Sequence, residues 1–301
     1  MWGPMLLERS RDSGSDATPA DTRTEALRSA AAVLDAVTPE ARPIVLPGQR
    51  VRDKLAAGVP LLHGEEVYVD GGVVVEIWDR ILAALADVGT RAADVTAVRA
   101  ALAGHRLNAE HATVEALVSH PEHVREIAAA ADALADLVLT VADLAARPVL
   151  AAYARQLAPA LRLAAWERGY CPICGAWPVR GERVSKGATL RLRCGRCTTG
   201  WEPERHTCQE CGTVEALGSP EVHDARQAPV TELGCGACGH HLRVVEPAAN
   251  TPTPGALLAW RDMAPAIEEP GHVLAPGRPS GAGFRLELSD GEAEWDGFDD
   301  D

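Results

Sequence analysis

Lysine is almost missing from this sequence, and positive charge in general is outnumbered. Only two of the 29 basic residues are lysine, Lys54 and Lys186, and 43 acidic residues bring the formal net charge to -14. A phosphate backbone repels so acidic a chain, so nucleic-acid binding is a poor default interpretation.

Long apolar runs are also missing. The most apolar helical stretch is interrupted by Asp132, Asp136 and Asp143, so no segment approaches the roughly 20 apolar residues that a membrane span needs. The opening residues MWGPMLLERSRDSGSD contain no basic start followed by an apolar run, and we expect no secretion signal. We therefore expect a cytoplasmic protein, in which paired cysteines stay reduced and serve as metal ligands or redox groups.

Known catalytic signatures are absent as well. The sequence contains no nucleophile elbow, no phosphate-cradling glycine loop, no dinucleotide fingerprint and no metal-hydrolase motif. We therefore expect no enzyme, no catalytic residue and no organic cofactor.

The cysteines divide the chain into parts of different character. Alanine-rich sequence with apolar residues at helical spacing precedes them, whereas all eight cysteines lie between 171 and 238, among short strand-like runs. We expect five segments: a disordered tail at 1–22, a helical domain at 23–165, a first metal ribbon at 166–204, a second metal ribbon at 205–247, and a short helix with a flexible acidic tail at 248–301.

Proline marks the expected end of the helical part. The pattern predicts a last helix over residues 148–169, with Pro148 in its first turn and Pro159 kinking its middle.

The eight cysteines form four Cys-x-x-Cys pairs with none left over. One such turn places two thiolates on one side of a tight loop, so two turns complete a tetrahedral metal site. Glycine follows the second cysteine in three pairs, where it supplies a positive φ at little steric cost: Gly175, Gly212 and Gly239. We predict eight metal ligands: Cys171, Cys174, Cys194, Cys197, Cys208, Cys211, Cys235 and Cys238.

The spacing of the pairs favours two sequential sites. Nineteen residues separate Cys174 from Cys194 and twenty-three separate Cys211 from Cys235, each enough for a β-hairpin. Only ten residues lie between the second pair and the third. The first two pairs would then hold one ion and the last two the other, with interleaved pairing as the alternative.

We expect two tetrahedral metal ions, iron or zinc, each held by four cysteines, since four thiolates suit both metals. A module this small, with few large apolar side chains, needs metal to fold, so the ions are interpreted as structural. A redox dithiol is the weaker interpretation, because that motif opens a helix after a strand and occurs once.

Charge is distributed unevenly over the two ribbons. Residues 171–200 carry a formal charge of +5 and residues 201–246 carry -5. The positive ribbon could contact an acidic protein face or a nucleic acid, or simply be solvated, and the dipolar layout favours a protein partner. Trp177 and Trp201 are interpreted as ribbon core rather than a recognition surface. Four histidines of the helical part are interpreted as surface residues: His105, His111, His120 and His123.

Four cysteine-bearing segments carry a family resemblance: GYCPICGAWPV (169–179), CGRC (194–197), TTGWEPERHTCQECG (198–212) and CGACGHHLRVVE (235–246). They resemble the formate dehydrogenase accessory protein family, FdhE. The resemblance is close over 165–247, where Trp201 and Arg205 match family positions, and is only a general helical character over 23–164. The proline-rich C-terminal part departs from the helix that the family has there.

The resemblance implies an α+β fold, with an N-terminal all-α helical domain followed by two small rubredoxin-like β-ribbon metal modules. It implies a non-catalytic cytoplasmic accessory factor for maturation or quality control of formate dehydrogenase. Such a factor binds the molybdenum-containing catalytic subunit before twin-arginine export, and iron is associated with its cysteine motifs. The alternatives are a zinc-ribbon nucleic-acid-binding protein and a rubredoxin-like electron carrier.

We also expect the client protein to dock in a groove between the helical domain and the ribbons. The helix that ends at Trp166 runs into Cys171 without a flexible linker, which fixes the geometry of the two parts. Arg180, Arg191 and Arg193 would give this groove a positive wall.

Overall fold

The protein is described here as a computed structural model. It describes these residues: 19–87, 92–184, 189–203, 208, 213, 221–223, 230–239, 241–245, 252–261 and 285–288. Cys211, Gly212 and Arg205, and most of the expected N-terminal and C-terminal tails, lie outside the described residues.

Helices form the N-terminal part of the described chain, as expected. They are α1 (Pro19–Ala36), α2 (Gly48–Ala57), α3 (Gly71–Asp87), α4 (Ala92–Ala103), α5 (Ala109–Leu117), α6 (Pro121–Ala130) and α7 (Ala135–Leu157), with a 3₁₀ helix at Ala158–Leu163 and a later helix α8 at Pro254–Arg261. The expected fold class, a helical part followed by two β-ribbon modules, is confirmed.

Helix α7 is the centre of the helical core. It contacts α1, α3, α4, α5 and α6, and it is buried on nearly every side from Leu137 to Leu157. The prediction of a separate helix starting at Pro148 is wrong, because Pro148 lies inside α7 and is itself buried. Packing on all sides compensates for the N–H that proline cannot donate, so the helix continues through it.

Helix α7 and the following 3₁₀ helix form a stretch, Ala135–Leu163, that could cross a membrane by length and composition alone. We expected no such stretch, because Asp136 and Asp143 interrupt it. Of its most apolar window, 83% is buried inside the protein. A core helix of this kind passes the same test, so the stretch is weak evidence for a membrane span.

A strand interrupts the helical part, which the sequence analysis did not predict. Strand β1 (Glu66–Val69) pairs in parallel with a strand near the C-terminus, β8 (Arg285–Leu288). The Tyr153 hydroxyl accepts a hydrogen bond from the Tyr68 backbone N–H at 2.9 Å, which fixes β1 on α7. Helix α8 packs on α1, where the Gly255 N–H donates to Asp35 at 2.8 Å.

The two cysteine ribbons share one six-stranded sheet. Its strands are β2 (Pro178–Val184), β3 (Thr189–Cys194), β4 (Gly200–Trp201), β5 (Glu221–His223), β6 (Val230–Gly234) and β7 (His241–Val245), in the spatial order β4-β3-β2-β7-β6-β5. Each ribbon contains an antiparallel hairpin, as the spacing predicted. The ribbons join through a short parallel pairing of β2 with β7.

Two basic side chains of β2 and β3, Arg180 and Arg193, lie inside the protein rather than along a groove. Arg180 and Arg193 are buried, and both bind the buried carboxylate of Glu182. Burial by itself raises the pKa of Glu182, but the hydrogen bonds and charges of Arg193 and Arg180 outweigh it, so this pKa lies below its ordinary value. Burial lowers the pKa of Arg180.

The expected positive wall is therefore wrong for Arg180 and Arg193. The third member, Arg191, is partly exposed and bound to Glu202 at 2.7 Å. Four of the six basic residues in 171–200 are paired with carboxylates: Arg180 and Arg193 with Glu182, Arg191 with Glu202, and Arg196 with Asp143.

Replacing Glu182 with glutamine should destabilise the protein by about 3–5 kcal/mol, because two buried guanidinium groups would lose the carboxylate that compensates them. The same change at Glu202 removes a carboxylate from an exposed pair and should cost less than about 1 kcal/mol. Chemical denaturation of both variants measures the difference. Equal losses in the two variants would contradict the structural role of the buried carboxylate.

Candidate metal centre

The first two cysteine pairs form one compact cluster, here called the first site: Cys171, Cys174, Cys194 and Cys197. The Cys171 and Cys197 sulfurs are 3.5 Å apart, and the Cys174 and Cys194 sulfurs are 3.6 Å apart. All four residues are buried, at 3% exposure or less. The sequential pairing predicted for these cysteines is the one that the structure brings together.

Backbone geometry of the turns positions these sulfurs. Gly175 has a φ of 77°, as expected for the residue that follows a Cys-x-x-Cys pair. Thr198 occupies the equivalent position in the second turn with a φ of 66°, where glycine would be less strained. The Ile173 N–H donates to the Cys171 sulfur, and the Arg196 and Cys197 N–H groups donate to the Cys194 sulfur, each at 3.4 Å.

The sulfur spacing fits a shared ion. A disulfide joins sulfurs at about 2.05 Å, whereas four ligands with bonds of about 2.3 Å around a tetrahedral ion lie roughly 3.8 Å apart. The observed 3.5 and 3.6 Å are close to the second value. The cluster can therefore hold a metal ion, and its thiolate set suits zinc and iron alike.

The electrostatics of the cluster, with its sulfurs as thiolates, favour a bound cation. Burial raises the pKa of the Cys171 and Cys197 thiols, while hydrogen bonds from the neighbouring thiols lower the pKa of Cys174. Four thiolates in a dry core repel each other, and a bound divalent ion offsets that repulsion.

The first turn is bonded to the helical part through its backbone. The Leu61 N–H donates to the Pro172 carbonyl at 2.8 Å, and the Leu62 N–H donates to the Ile173 carbonyl at 3.0 Å. Lys54 holds this loop in place by donating to the Leu61 carbonyl at 2.8 Å, and burial lowers its pKa.

Aromatic side chains seal the same junction. The Tyr170 hydroxyl donates to the Gly58 carbonyl at 2.6 Å, and the Trp166 indole N–H donates to the Tyr170 carbonyl at 2.7 Å. Trp201 is buried and donates to the Arg168 carbonyl at 3.2 Å. The interpretation of Trp201 as core is therefore correct, and Trp177 packs edge-on against Tyr170.

Arg196 ties the second turn of the first site to helix α5. Its guanidinium donates to the Ala116 carbonyl at 2.5 Å and to the Ser119 hydroxyl at 2.9 Å. It also lies 3.4 Å from the Asp143 carboxylate of α7. Sequence reasoning missed this role, because the residue between two cysteines was counted only as surface charge.

These contacts fill the space in which a groove was expected. The first site belongs to the same hydrophobic core as α3, α5 and α7, together with Trp166 and Tyr170. At the first site the junction is therefore packed core, and a groove elsewhere between the helical part and the ribbons stays a prediction.

A second cluster, here called the second site, lies in the other ribbon and contains Cys208, Cys235 and Cys238. The Cys208 and Cys238 sulfurs are 3.6 Å apart. Gly239 follows Cys238 with a φ of 74°, as predicted. The predicted fourth ligand, Cys211, lies outside the described residues, so the eight-ligand set stays a prediction.

The two sites differ in exposure. Cys235 is 7% exposed, but Gly236, Ala237, Cys238 and Gly239 are all exposed. The turn Cys235–Gly239 thus faces solvent, whereas its counterpart in chain order in the first site, Cys194–Thr198, is buried.

Comparison with known proteins finds relatives of one name. A protein FdhE homolog of Citrobacter koseri is 35% identical over 82 residues, which are 26% of this chain and 26% of the relative. Protein FdhE of Salmonella paratyphi B is 36% identical over 81 residues, again 26% of each chain. The match spans about a quarter of the length of these curated relatives. The resemblance to FdhE is confirmed over that quarter.

The crystal structure of the FdhE protein from Pseudomonas aeruginosa aligns with 81% of this chain and 86% of that chain, at 22% identity and a TM-score of 0.38. At that score the alignment carries no weight for the arrangement of the fold. No family model matches the chain.

The substitutions Cys171→Ser and Cys235→Ser should distinguish the effects of losing the first site from those of losing the second. Each variant should lose about one of two metal ions, because a tetrahedral site needs all of its thiolates. Cys171→Ser should also lower the stability of the helical part by more than about 3 kcal/mol, since Cys171 lies in its core. Cys235→Ser should change that stability by less than about 1 kcal/mol.

Elemental analysis of anaerobically purified protein and helix melting by circular dichroism measure these effects. Full metal content in both variants would contradict the ligand assignment. Equal loss of helix stability would contradict the difference between the two sites.

Alanine at Gly239 should weaken metal binding at the second site. The position needs a φ of 74° but leaves open space for a Cβ, so the penalty is conformational. A left-handed alanine costs about 1–2 kcal/mol, or roughly 5–30-fold in affinity. Gly236→Ala is the matched control, because Gly236 lies in the same turn with open space and no left-handed φ. Chelator competition should show a loss for Gly239→Ala only.

Proposed function

We propose that this chain is a non-catalytic cytoplasmic accessory factor that binds the catalytic subunit of formate dehydrogenase during maturation or quality control. The observation that carries the proposal is the identity of about 36% with FdhE proteins, which spans a quarter of the chain. The cysteine pairs support it, because four cysteines of the first ribbon and three of the second lie close enough together to hold a metal ion. Two tetrahedral ions of iron or zinc, held by all eight cysteines, complete the proposal.

The metal ions have a structural part in this function. The first site lies in the core of the helical part, so its ion would hold the ribbons and the helices in one fixed geometry. The chain's own residues then present a preformed surface to the client, which lowers the entropy cost of binding.

We place the client contact on the exposed turn of the second site, Cys235–Gly239. In the first site, one Cys-x-x-Cys turn already bonds to the helical part through two carbonyls, those of Pro172 and Ile173. In the second site the turn is exposed instead. A turn of this kind can therefore dock against a helical protein, and the second one is accessible for such contact.

The alternative function, nucleic-acid binding by a zinc ribbon, is no longer favoured by the charges of the first ribbon. It depended on a basic first ribbon, but Arg180, Arg193 and Arg196 are buried and bound to carboxylates or carbonyls of the protein. Electron transfer would suit the second site better than the first, because Cys238 is exposed whereas the first-site sulfurs are in the core.

Capture of the formate dehydrogenase catalytic subunit by the full-length, metal-loaded chain tests the function. We expect the unmodified chain to capture the subunit. Ala237→Glu should reduce capture at least about 10-fold without removing metal, because it places a charge at the centre of the proposed contact. Ala103→Glu, at an exposed alanine at the end of α4, is the matched control and should capture normally.

Two failures have different meanings. If the unmodified chain captures nothing, the proposed function is refuted. If Ala237→Glu captures as well as the control, the function stands and the docking turn is wrong.

A further inference from the structure

A buried carboxylate in the helical part is surrounded by histidines. Glu115 of α5 is 2% exposed. Its carboxylate lies 3.0 Å from His123 Nδ1, 3.2 Å from His120 Nδ1 and 3.5 Å from His111 Nε2. These four residues are here called the histidine cluster. None of them belongs to the cysteine sites.

The fold brings the cluster together from two helices. His111 and Glu115 are one turn apart on α5, so they share a face of that helix. The chain then reverses at Ser119, which has a φ of 65°, and the His120 N–H donates to the Glu115 carbonyl at 2.9 Å. Helix α6 starts at Pro121, so its first turn places His123 beside His120 and over the carboxylate.

The chain reversal at Ser119 is stabilised by Arg196 of the first ribbon. Arg196 donates to the Ser119 hydroxyl at 2.9 Å and to the Ala116 carbonyl at 2.5 Å. Its own backbone N–H donates to the sulfur of Cys194. The turn that presents His120 is therefore braced by the first cysteine site, which keeps the cluster in one geometry without any bound ion.

A buried, charged Glu115 carboxylate needs compensating positive charge or N–H donors, and neutral histidines supply only some of these donors. Burying a carboxylate is costly unless a positive charge or several N–H donors compensate it. Across the described part of the chain, the charged or ionisable groups bound to Glu115 are imidazoles rather than lysine or arginine. A neutral imidazole donates one hydrogen bond and keeps one nitrogen as an acceptor, which is the form that binds a metal.

The atomic spacing fits a coordination shell. Metal bonds of about 2.0–2.2 Å to nitrogen and oxygen place the ligand atoms of a tetrahedral site roughly 3.3 Å apart. The spacings from Glu115 Oε2 to His123 Nδ1 and His120 Nδ1, 3.0 and 3.2 Å, are close to that value. The ligand atoms of Glu115, His120 and His123 all lie within 4.8 Å of one another. The His120 and His123 rings meet edge to face, with centroids 5.1 Å apart.

We propose that Glu115, His120 and His123 bind a divalent transition-metal ion of the zinc class, with a water molecule completing the shell. Imidazole and carboxylate form a harder ligand set than four thiolates, so this site differs in preference from the cysteine sites. His111 and His123 are 55% and 44% exposed in their side chains. The ion therefore reaches the site from solvent and exchanges, unlike an ion buried in the first site.

Zinc titration of the full chain with both cysteine sites saturated tests the proposal. A competing fluorescent chelator should detect one further equivalent of zinc per chain. Loss of a group that only supports a ligand weakens metal affinity roughly 10–100-fold. His123→Asn and Glu115→Gln should each weaken zinc binding by more than that, because each removes a ligand. His105→Asn is the matched control, because His105 is exposed, lies outside the cluster and has a φ of 53°, which asparagine tolerates. It should bind as the unmodified chain does.

A second measurement separates binding from folding. Zinc should raise the melting temperature of the unmodified chain and of His105→Asn but not of His123→Asn, with all three melting alike in the presence of chelator. No further equivalent of zinc, or equal affinity in all four proteins, would overturn the proposal. Equal affinity would mean that zinc binds scattered surface histidines.

Discussion

The fold depends on four sulfurs packed within a few ångströms of one another in a dry core. The Cys171–Cys197 and Cys174–Cys194 sulfur pairs, at 3.5 and 3.6 Å, are spaced to share a cation, which would offset their charge as thiolates. The same turns carry the Pro172 and Ile173 carbonyls that accept from the helical part. A metal ion bound at this site would therefore couple to packing of the helical core, because the turn and the loop opposite it are hydrogen-bonded to each other.

Local rules were enough to predict the cysteine turns. The thiolate pairs are separated by two residues, and the positive φ of Gly175 and Gly239 follows from the same turn, so no distant contact is needed to infer them. The helical part followed from alanine content and apolar spacing for a similar reason. The hairpins required only enough chain between pairs, and β2 and β3 form with Val184 opposite Thr189.

Features that depend on distant contacts could not be predicted in this way. Strand β1 has four residues and pairs with β8, more than two hundred positions away. Pro148 reads as a helix start, but packing around α7 overrides it. Arg180 and Arg193 read as surface charge, and only the register of β2 and β3 shows that they share Glu182. The spacing of His111 and Glu115 was visible in the sequence, whereas the reversal at Ser119 that adds His120 and His123 was not.

The two ribbons have the same turn chemistry but different surroundings, and the sheet explains why. In the order β4-β3-β2-β7-β6-β5, the first ribbon lies where its turns meet α5 and the loop at Leu61, and the second extends away from them. Arginine residues follow the same division, since those of the first ribbon bind Glu182, Glu202 and the end of α5. Three arginines of the first ribbon, Arg180, Arg193 and Arg196, are thus buried in the molecule, while the whole chain carries a formal net charge of -14. A partner that binds the exposed turn therefore approaches an acidic protein, and it must recognise backbone and small side chains there rather than an arginine patch.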